Sequence, residues 1–341
     1  MDLREFGWNR FFQDAFAPHI GALTPGRVAS ENRGHYLLWS SSGEHSAVLA
    51  GALRDAGPAP VTGDWVGFDL ASNRIHAVLP RRTTVSRRQP GRAVAEQVLA
   101  ANVDVLFVVS ALDGDFNLRR LERYLTLVRS AAVWPVVVLT KFDVANNAEA
   151  HLDEARQRIP ADVPIVALDA RQPAAAAELG GYLTPGQTLV ALGSSGAGKS
   201  TLTNTLLGRV EQATGAVRED DSRGRHTTTV RSLHMLPGGA CIIDTPGLRG
   251  LRVDTDEDGL NASFADIVAL AGDCRFRDCR HSGEPGCAVR PAVHPDRLAN
   301  FHKMRREIRR ETMTIFDRRK QLAEWKARSR GAEERMKLKR G

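Results

Sequence analysis

The loop that decides the fold of this chain reads Gly193-Ser194-Ser195-Gly196-Ala197-Gly198-Lys199-Ser200 and fits the phosphate-binding pattern G-x-x-x-x-G-K-[ST]. Residues 188–192 before it have the apolar composition of a buried strand, and residues 199–207 have the pattern of a helix that ends at Gly208. Backbone amides in such a loop, and those at the helix N-terminus, attract an anion. We expect Lys199 to reach the terminal phosphates of a nucleotide, Ser200 to bind Mg²⁺, and Thr201 to complete the contacts. A chance glycine-rich turn is the alternative, and the strand-to-helix context disfavours it.

Length and composition indicate a soluble protein of several domains. The chain has 341 residues, 42% hydrophobic and 26% charged, which is too long for one ordinary core. The sequence contains neither a run of about 18 apolar residues nor a leader with a basic start and an apolar middle. We therefore expect a cytoplasmic protein, a monomer without a membrane partner.

The basic character of the chain is a property of its C-terminal tail. Residues 301–341 hold 15 Lys/Arg and 6 Asp/Glu, a net charge of +9, whereas the other 300 residues carry a net charge of −2. Such a tail suits nucleic acid or an acidic membrane, and a solvated helix face is the alternative. Phe301, Met304 and Ile308, continued by Ile315, Leu322 and Trp325, fall on one helical stripe. Basic residues from Arg305 to Lys320 take the opposite face.

Short alternating segments between residues 25 and 88 predict an antiparallel barrel of the OB type. The predicted strands cover residues 36–39, 46–50, 64–68 and 75–79, with turn residues between them. The aromatic N-terminal segment before Pro25 is expected to form a helix that packs on this barrel. OB barrels often bind RNA, and nearby arginines would add phosphate contacts or form a solvated basic linker: Arg81, Arg82, Arg87, Arg88 and Arg92.

Strands and helices alternate from Val103 onward, as in an α/β nucleotide-binding domain. A strand at residues 136–139 ends in Thr140-Lys141-Phe142-Asp143, which is similar to the guanine-recognition pattern [NT]-K-x-D of GTPases. Asp143 can accept from both N1–H and the N2 amine of guanine, while the stem of Lys141 packs over the base. Adenine lacks this pair of donors, so these residues predict specificity for GTP.

Two further elements follow the phosphate loop. A strand at residues 240–243 leads into Asp244-Thr245-Pro246-Gly247, the D-x-x-G pattern whose Asp holds Mg²⁺ through water and whose Gly can meet the γ-phosphate. Between them lies Gly224-Arg225-His226-Thr227-Thr228-Thr229, where GTPases have their first switch. We predict that Thr228 binds Mg²⁺ together with Ser200 and Asp244. The threonines also suit the start of a β-strand.

Three cysteines and a histidine form the pattern C-x4-C-x-H-x5-C at Cys274, Cys279, His281 and Cys287. Three thiolates and one imidazole suit tetrahedral Zn²⁺ and leave no position open for water, which predicts a structural site. Buried free cysteines are the alternative, and Cys241 in a predicted core strand fits that description.

The order of the motifs is unusual, because Asp143 precedes the phosphate loop instead of following it. The domain therefore reads as circularly permuted, which costs little when termini lie close together. With these motifs, Asp64-Trp65-Val66, Ala101-Asn102-Val103-Asp104 and the cysteine cluster, the chain resembles the RsgA (YjeQ) family of circularly permuted, ribosome-dependent GTPases over nearly its full length.

The resemblance implies a role in late maturation of the small ribosomal subunit, with contacts to its rRNA. It also implies slow intrinsic hydrolysis, since Leu248 stands where many GTPases have a water-orienting glutamine. His226 is our candidate for that task, with Lys199 and Thr228 as the other catalytic residues; His226 can instead hydrogen-bond the loop. The base-sensing loop, usually S-A, should fall at residues 167–169 and departs from that pattern.

We thus predict a multidomain GTPase that hydrolyses GTP to GDP and phosphate, with Mg²⁺ at the nucleotide and one structural Zn²⁺. The predicted parts are an extension (1–24), an OB barrel (25–92), a permuted GTPase domain (93–255), a helical zinc domain (256–328) and a basic tail (329–341). A nucleotide-controlled RNA-binding assembly factor, in which hydrolysis is only a slow timer, is the alternative function. A P-loop kinase would need an acceptor site and does not explain the accompanying GTPase motifs.

Overall fold

The computed structural model describes residues 2–56, 59–88, 96–209, 231–244 and 256–312. The chain forms two compact units, Met1–Ala269 and Leu270–Gly341. The finer domain limits given above remain predictions. Within the described ranges, every helix is too short or too polar to cross a lipid bilayer.

The N-terminal segment forms helix α1 (Arg10–Phe16), preceded by a short 3₁₀ turn (Leu3–Phe6) and followed by another (Ala17–His19). The Asn9 side chain begins α1 by accepting from the amides of Phe11 and Phe12, a standard N-cap. Phe12 and Trp8 pack on the buried Trp65, with ring centroids 5.8 and 4.7 Å apart. The predicted aromatic helix therefore covers the domain that follows it.

Five strands and one short helix after the third strand make a closed barrel. They are β1 (Thr24–Asn32), β2 (His35–Ser40), β3 (Gly43–Leu49), α2 (Gly51–Ala56), β4 (Trp65–Asp69) and β5 (Arg74–Val78). β1 pairs with β2 and β4, and β3 pairs with β5 in parallel. Tyr36 and Leu38, on alternate positions of β2, are buried inside with Val66, Phe68 and Ile75. This arrangement confirms the predicted OB-type barrel.

Strands β6 (Thr84–Arg88) and β7 (Glu96–Ala101) form a separate two-stranded sheet after the barrel. Arg81, one of the arginines expected to add phosphate contacts or to lie in a solvated linker, has an intramolecular partner. Its guanidinium makes a bidentate ion pair with Asp64, both bonds 2.7 Å long, and the Asp64 side chain is fully buried. Arg82 lies 3.3 Å from Asp104. The first arginines of this basic segment therefore have intramolecular partners, and Arg92 lies outside the described residues.

The following α/β region builds a mostly parallel sheet with helices on both faces, in which the strand Ser232–Met235 runs antiparallel to its neighbour. Its elements are β8 (Val105–Ala111), α3 (Leu118–Ser130), β9 (Trp134–Thr140), α4 (Ala148–Arg158), β10 (Ile165–Ala167), α5 (Ala174–Glu178), a 3₁₀ turn (Gly180–Tyr182), β11 (Thr188–Gly193), α6 (Lys199–Leu207), β12 (Ser232–Met235), β13 (Cys241–Asp244), α7 (Glu257–Ser263) and α8 (Ala265–Ala271). Along β8, Leu106 and Val108 face one core while Phe107 and Val109 face the other. Two hydrophobic cores therefore lie against the sheet, one on each face.

The strand order β10-β9-β8-β11-β13-β12 places β9, β11 and β13 close together. Because these strands are parallel members of one sheet, their carboxyl ends lie at the same edge. Thr140, Gly193 and Asp244 are the last residues of these three strands. The three nucleotide motifs are therefore gathered along one edge of the sheet.

The α/β sheet continues into the barrel through an antiparallel pairing of β12 with β1 at Ser232 and Ser30. The Thr62 hydroxyl also donates to the carbonyl of Arg231, 3.1 Å away. At this junction Arg27 is 1% exposed and donates to the carbonyl of Phe6 and, at 2.7 Å, to the Thr188 hydroxyl at the start of β11. Barrel, N-terminal segment and nucleotide-binding sheet therefore share one set of buried contacts.

The second unit contains the cysteine cluster and helices α9 (Val289–Ala292) and α10 (Pro295–Thr312). Phe301, Met304 and Ile308 on α10 are buried, and Arg306 and Arg309 are exposed, as the stripe predicts. The rest of the stripe and the tail lie outside the described residues.

Candidate functional site

The phosphate loop joins β11 to α6 through a tightly packed turn. A Cβ atom at Gly193 would lie 2.1 Å from the carbonyl oxygen of Val109 on the neighbouring strand, so only glycine fits there. Gly196 and Gly198 have φ of +78° and +85°, a conformation that other residues rarely adopt. Helix α6 then begins at Lys199 and ends at Gly208, whose φ is +65°. Glycine is therefore required at each of these turns.

Lys199 folds back over the loop. Its ammonium group donates to the carbonyls of Gly193 (2.9 Å) and Ser194 (2.5 Å). The charge of Lys199 and the amides at the start of α6 thus lie beside one concave backbone turn, an arrangement suited to phosphate. Ser200 and Thr201 occupy the first turn of the same helix.

Thr140 connects the guanine motif with the phosphate loop. Its side chain is 0% exposed, and its hydroxyl donates to the carbonyl of Ala197 over 2.8 Å. The predicted nucleotide contact of Thr140 is untested, whereas its geometry is that of a buried brace between two motifs 57 residues apart in the chain.

The two other motif residues are held by charged partners. Lys141 has a left-handed φ of +60°, and its ammonium group lies 2.6 Å from Asp113 Oδ2. Burial works against ionisation of Asp113, but hydrogen bonds from Lys141 and a backbone amide outweigh it and lower the pKa of that carboxyl group. Asp143 Oδ2 is 2.5 Å from Arg171 Nη2.

The loop after β8 was missed by the sequence reasoning. Its Asp113 holds Lys141, and its Asp115 accepts from the hydroxyl of Ser194 over 2.7 Å. The available signal was the segment Asp113-Gly114-Asp115, directly after a strand that neighbours both β9 and β11. Two carboxylates thus reach the two predicted nucleotide motifs from a third strand.

The base-sensing loop is expected at residues 167–169, at the end of β10, and that assignment stays a prediction. β10 ends at Ala167, and the next residue, Leu168, is buried. Asp169 and Arg171 are the residues connected to Asp143. Sequence alone did not reveal this contact, because it joins loops that follow two different strands.

Asp244 ends β13, beside β11, at the edge that carries the phosphate loop. Thr228 and His226, like Gly247 and Leu248, fall outside the described residues. Their predicted roles therefore stay predictions.

The second unit holds a cluster fit for a metal ion. Cys274, Cys279, His281 and Cys287 offer ligand atoms that all lie within 4.8 Å of one another. His281 Nδ1 is 3.6 Å from Cys274 Sγ and 3.5 Å from Cys287 Sγ. Tetrahedral zinc, with Zn–S of about 2.3 Å and Zn–N of about 2.0 Å, separates sulfur and nitrogen ligands by about 3.6 Å. The Cys₃His set thus has the spacing of a closed four-ligand centre.

The loops around this cluster are held by backbone hydrogen bonds. The amides of Ala288 and Arg290 each lie 3.4 Å from a ligand sulfur, that of Cys274 and that of Cys287. Hydrogen bonds from its own amide and from those of Ser282 and Arg280 lower the pKa of Glu284 to about 2. A charged carboxylate therefore organises the turn between His281 and Cys287, and the His281 ring stacks on His302 of α10 with centroids 6.3 Å apart.

The chain is similar to known proteins over most of its length. A family model described as RsgA GTPase matches residues 78–254. The small ribosomal subunit biogenesis GTPase RsgA of Opitutus terrae is 46% identical over 330 residues, covering 90% of each chain. RsgA 2 of Vibrio vulnificus, described by the same name, is 42% identical over 326 residues, covering 94% of this chain and 92% of that protein.

Solved structures show the same fold. YjeQ from Thermotoga maritima superposes with a TM-score of 0.63 at 24% identity, covering 84% of this chain and 98% of that one. YloQ, described as a circularly permuted GTPase, gives a TM-score of 0.61 at 21% identity, covering 87% and 99%. The predicted permutation is confirmed, and the chain belongs to the RsgA GTPase family.

Proposed function

We propose that this protein hydrolyses GTP to GDP and phosphate and acts in biogenesis of the small ribosomal subunit. One observation supports the chemistry most strongly. The phosphate loop, the guanine motif and Asp244 follow parallel strands that end at one edge of the sheet, although they are far apart in sequence. At that edge a single nucleotide can meet all three.

Each group has a role that its chemistry allows. Lys199 and the loop amides hold the phosphates, and Asp143 accepts from N1–H and N2 of guanine. The Mg²⁺ ligands are proposed to be Ser200, Thr228 and, through water, Asp244. Mg²⁺, when bound, neutralises charge that develops on the phosphate oxygens. Membership of a GTPase family supports the binding of Mg²⁺ with the nucleotide. The assignment of its ligands is our proposal.

Hydrolysis by the free protein should be slow. Leu248 cannot orient water, so we assign that task to His226, with Lys199 and Thr228 acting on the phosphates. In steady-state measurements His226→Ala should lower kcat, while the GTP affinity measured by titration stays unchanged. An unaltered kcat would remove His226 from the mechanism.

Guanine selection is tested at Asp143. Asp143→Asn should lose preference for GTP and gain preference for xanthosine triphosphate, because the amide donates where the carboxylate accepts. Asp153→Asn on the exposed face of α4 is a matched control. A variant that kept full preference for GTP would contradict the assignment.

The ribosomal target rests on the relatives and on charge. The two relatives named above are described as small ribosomal subunit biogenesis GTPases. The second unit has a pocket of about 860 Å³ whose lining includes five arginines: Arg277, Arg280, Arg305, Arg306 and Arg309. Such a surface suits the phosphate backbone of rRNA.

Turnover measured with purified small subunits, large subunits and bare RNA tests the target. Strong stimulation by the small subunit alone is expected. Equal slow rates in all samples, with tight subunit binding, would favour the assembly factor whose hydrolysis is only a timer. Equal rates without binding would remove the ribosomal role.

We also propose that the Cys₃His cluster holds one structural Zn²⁺. Three thiolates and an imidazole leave no open position for substrate, and the polar loops around them have few apolar contacts to hold them. Metal analysis should give one zinc per chain, and Cys279→Ser should lower it. Loss of GTP hydrolysis in proportion to zinc loss, with the second unit still folded, would argue for a catalytic metal instead. We further propose that the protein is a monomer and acts in the cytoplasm.

A further inference from the structure

Arg171 bridges two carboxylates at the guanine side of the site. Its Nη2 atom lies 2.5 Å from Asp143 Oδ2 and 3.0 Å from Asp169 Oδ2, and its Nε lies 3.0 Å from Asp169 Oδ1. The Asp169 side chain is 13% exposed and that of Asp143 is 32% exposed. One guanidinium therefore connects the predicted base-reading carboxylate with a second, more buried one.

The bridge is built on an anchored loop. Asp169 Oδ1 accepts from the amide of Arg171 at 3.0 Å, a turn that fixes the two residues relative to each other. The Thr205 hydroxyl of α6 donates to the carbonyl of Ala170 over 2.7 Å. The amide of Leu168 donates to Leu139, next to the guanine motif. Arg171 thus extends from a loop attached to both the phosphate helix and β9.

The Arg171 bridge bears on how Asp143 can bind guanine. To accept from N1–H and N2, Asp143 must be ionised with its oxygens correctly turned. Two carboxylates repel each other when no cation lies between them, and an ionised Asp169 cannot donate a hydrogen bond to Asp143. Arg171 removes both problems, and its hydrogen bonds lower the pKa of Asp169 to about 2. A carboxylate also has lone pairs enough to accept from arginine and guanine together.

We infer that Arg171 is a positioning residue for guanine specificity, which orients Asp143 and neutralises Asp169. The inference rests on the proposed guanine-binding role of Asp143. It assigns base selection to the Asp143–Arg171–Asp169 bridge and not to the carboxylate alone.

The test compares four variants of the full zinc-loaded chain: Arg171→Ala, Arg171→Lys, Asp169→Ser and the double variant Arg171→Ala with Asp169→Ser. Affinities for fluorescent GDP, IDP and XDP are measured together with KM and kcat for GTP. Arg171→Ala should weaken GDP binding by about 10-fold, the scale of one charge-assisted hydrogen bond at a partly exposed site, and should raise KM without changing kcat. Arg171→Lys should keep most of the affinity, because its ammonium group can also lie between the carboxylates.

The double variant gives the sharpest readout. Serine at position 169 removes the second negative charge, which Arg171 no longer neutralises in this variant, so it should restore most of the lost affinity. A merely structural role of Arg171 predicts no such rescue. Arg156→Ala, another exposed arginine paired with an aspartate, is the matched control and should behave as wild type.

The outcomes separate the inference from the proposed function. If the wild type prefers GDP over XDP and Arg171→Ala binds GDP as well as or better than the wild type, the inference is overturned and the GTPase assignment stands. Failure of the rescue in the double variant overturns it as well. If the wild type itself has no preference for guanine, both fail.

Discussion

Replacing Thr140 by valine tests how the guanine motif and the phosphate loop are connected. The substitution keeps the volume of a fully buried side chain and removes the hydroxyl that donates to Ala197. An ideal Cβ at Gly198 would lie 3.2 Å from that hydroxyl, so the loop backbone also packs directly on Thr140. Only the hydrogen bond should therefore be lost.

The expected cost follows from the carbonyl that is left behind. A buried acceptor without its donor costs about 1–3 kcal/mol, so the free energy of unfolding should fall by that amount. Thr140→Ser keeps the hydroxyl and removes one methyl group, which costs about 1 kcal/mol. Valine should therefore be at least as harmful as serine, although valine is the more apolar residue. If the phosphate loop of the variant is less ordered before binding, GDP must order it again, and GDP affinity should fall by up to about 5-fold.

Urea unfolding of the nucleotide-free chain followed by circular dichroism gives the stability, and amide exchange gives the local effect. The amide of Leu202 donates to the carbonyl of Gly198 over 2.8 Å and should exchange faster in Thr140→Val than in Thr140→Ser. Equal stability of wild type and Thr140→Val would refute the brace. Weaker GDP binding at unchanged stability would show instead that the hydroxyl contacts the nucleotide.

Three further outcomes follow from contacts described above. Gly193→Ala should abolish nucleotide binding measured by fluorescence titration, because its Cβ would meet the Val109 carbonyl at 2.1 Å and the two strands must separate; normal binding would contradict the close packing. Asp64→Asn should lower the free energy of unfolding by about 3–5 kcal/mol in urea, since it leaves Arg81 without its buried partner; a loss under about 1 kcal/mol would place that pair among exposed ones. Carboxyl NMR should find the pKa of Asp169 at about 2, below its ordinary 3.8. Because the folded pKa is the lower one, this contribution to stability is complete above pH 3.8 and is lost as the pH falls toward 2; a normal pKa would contradict the bridge.

Local backbone chemistry made much of the fold predictable. The helix predicted at residues 199–207 was confirmed because Gly198 and Gly208 mark its two ends with left-handed backbone. The strand β1 was not predicted, since Pro25, Gly26 and Arg27 interrupt its alternation. Arg27 can be buried there only because acceptors arrive from distant segments, and no local pattern contains that information.

The same distinction applies to the candidate site. The metal cluster could be predicted because its ligands lie within fourteen residues of one another and thiolates have few other uses in such a pattern. The partners of the motif residues could not, because Asp113 and Arg171 reach Lys141 and Asp143 only after three strands align. Spacing in the sequence identifies the candidate binding residues. The order of strands in the sheet determines which other side chains contact them.

The pairing of β12 with β1 has a consequence for any attempt to study the nucleotide-binding part alone. In a truncated chain that starts after the barrel, β12 would lose its neighbour and the carbonyl of Arg231 would lose its donor. An uncovered strand edge is a template for pairing with another molecule. The barrel thus protects a strand edge as well as being a candidate RNA-binding module, and its removal would promote aggregation before any effect on recognition could be measured.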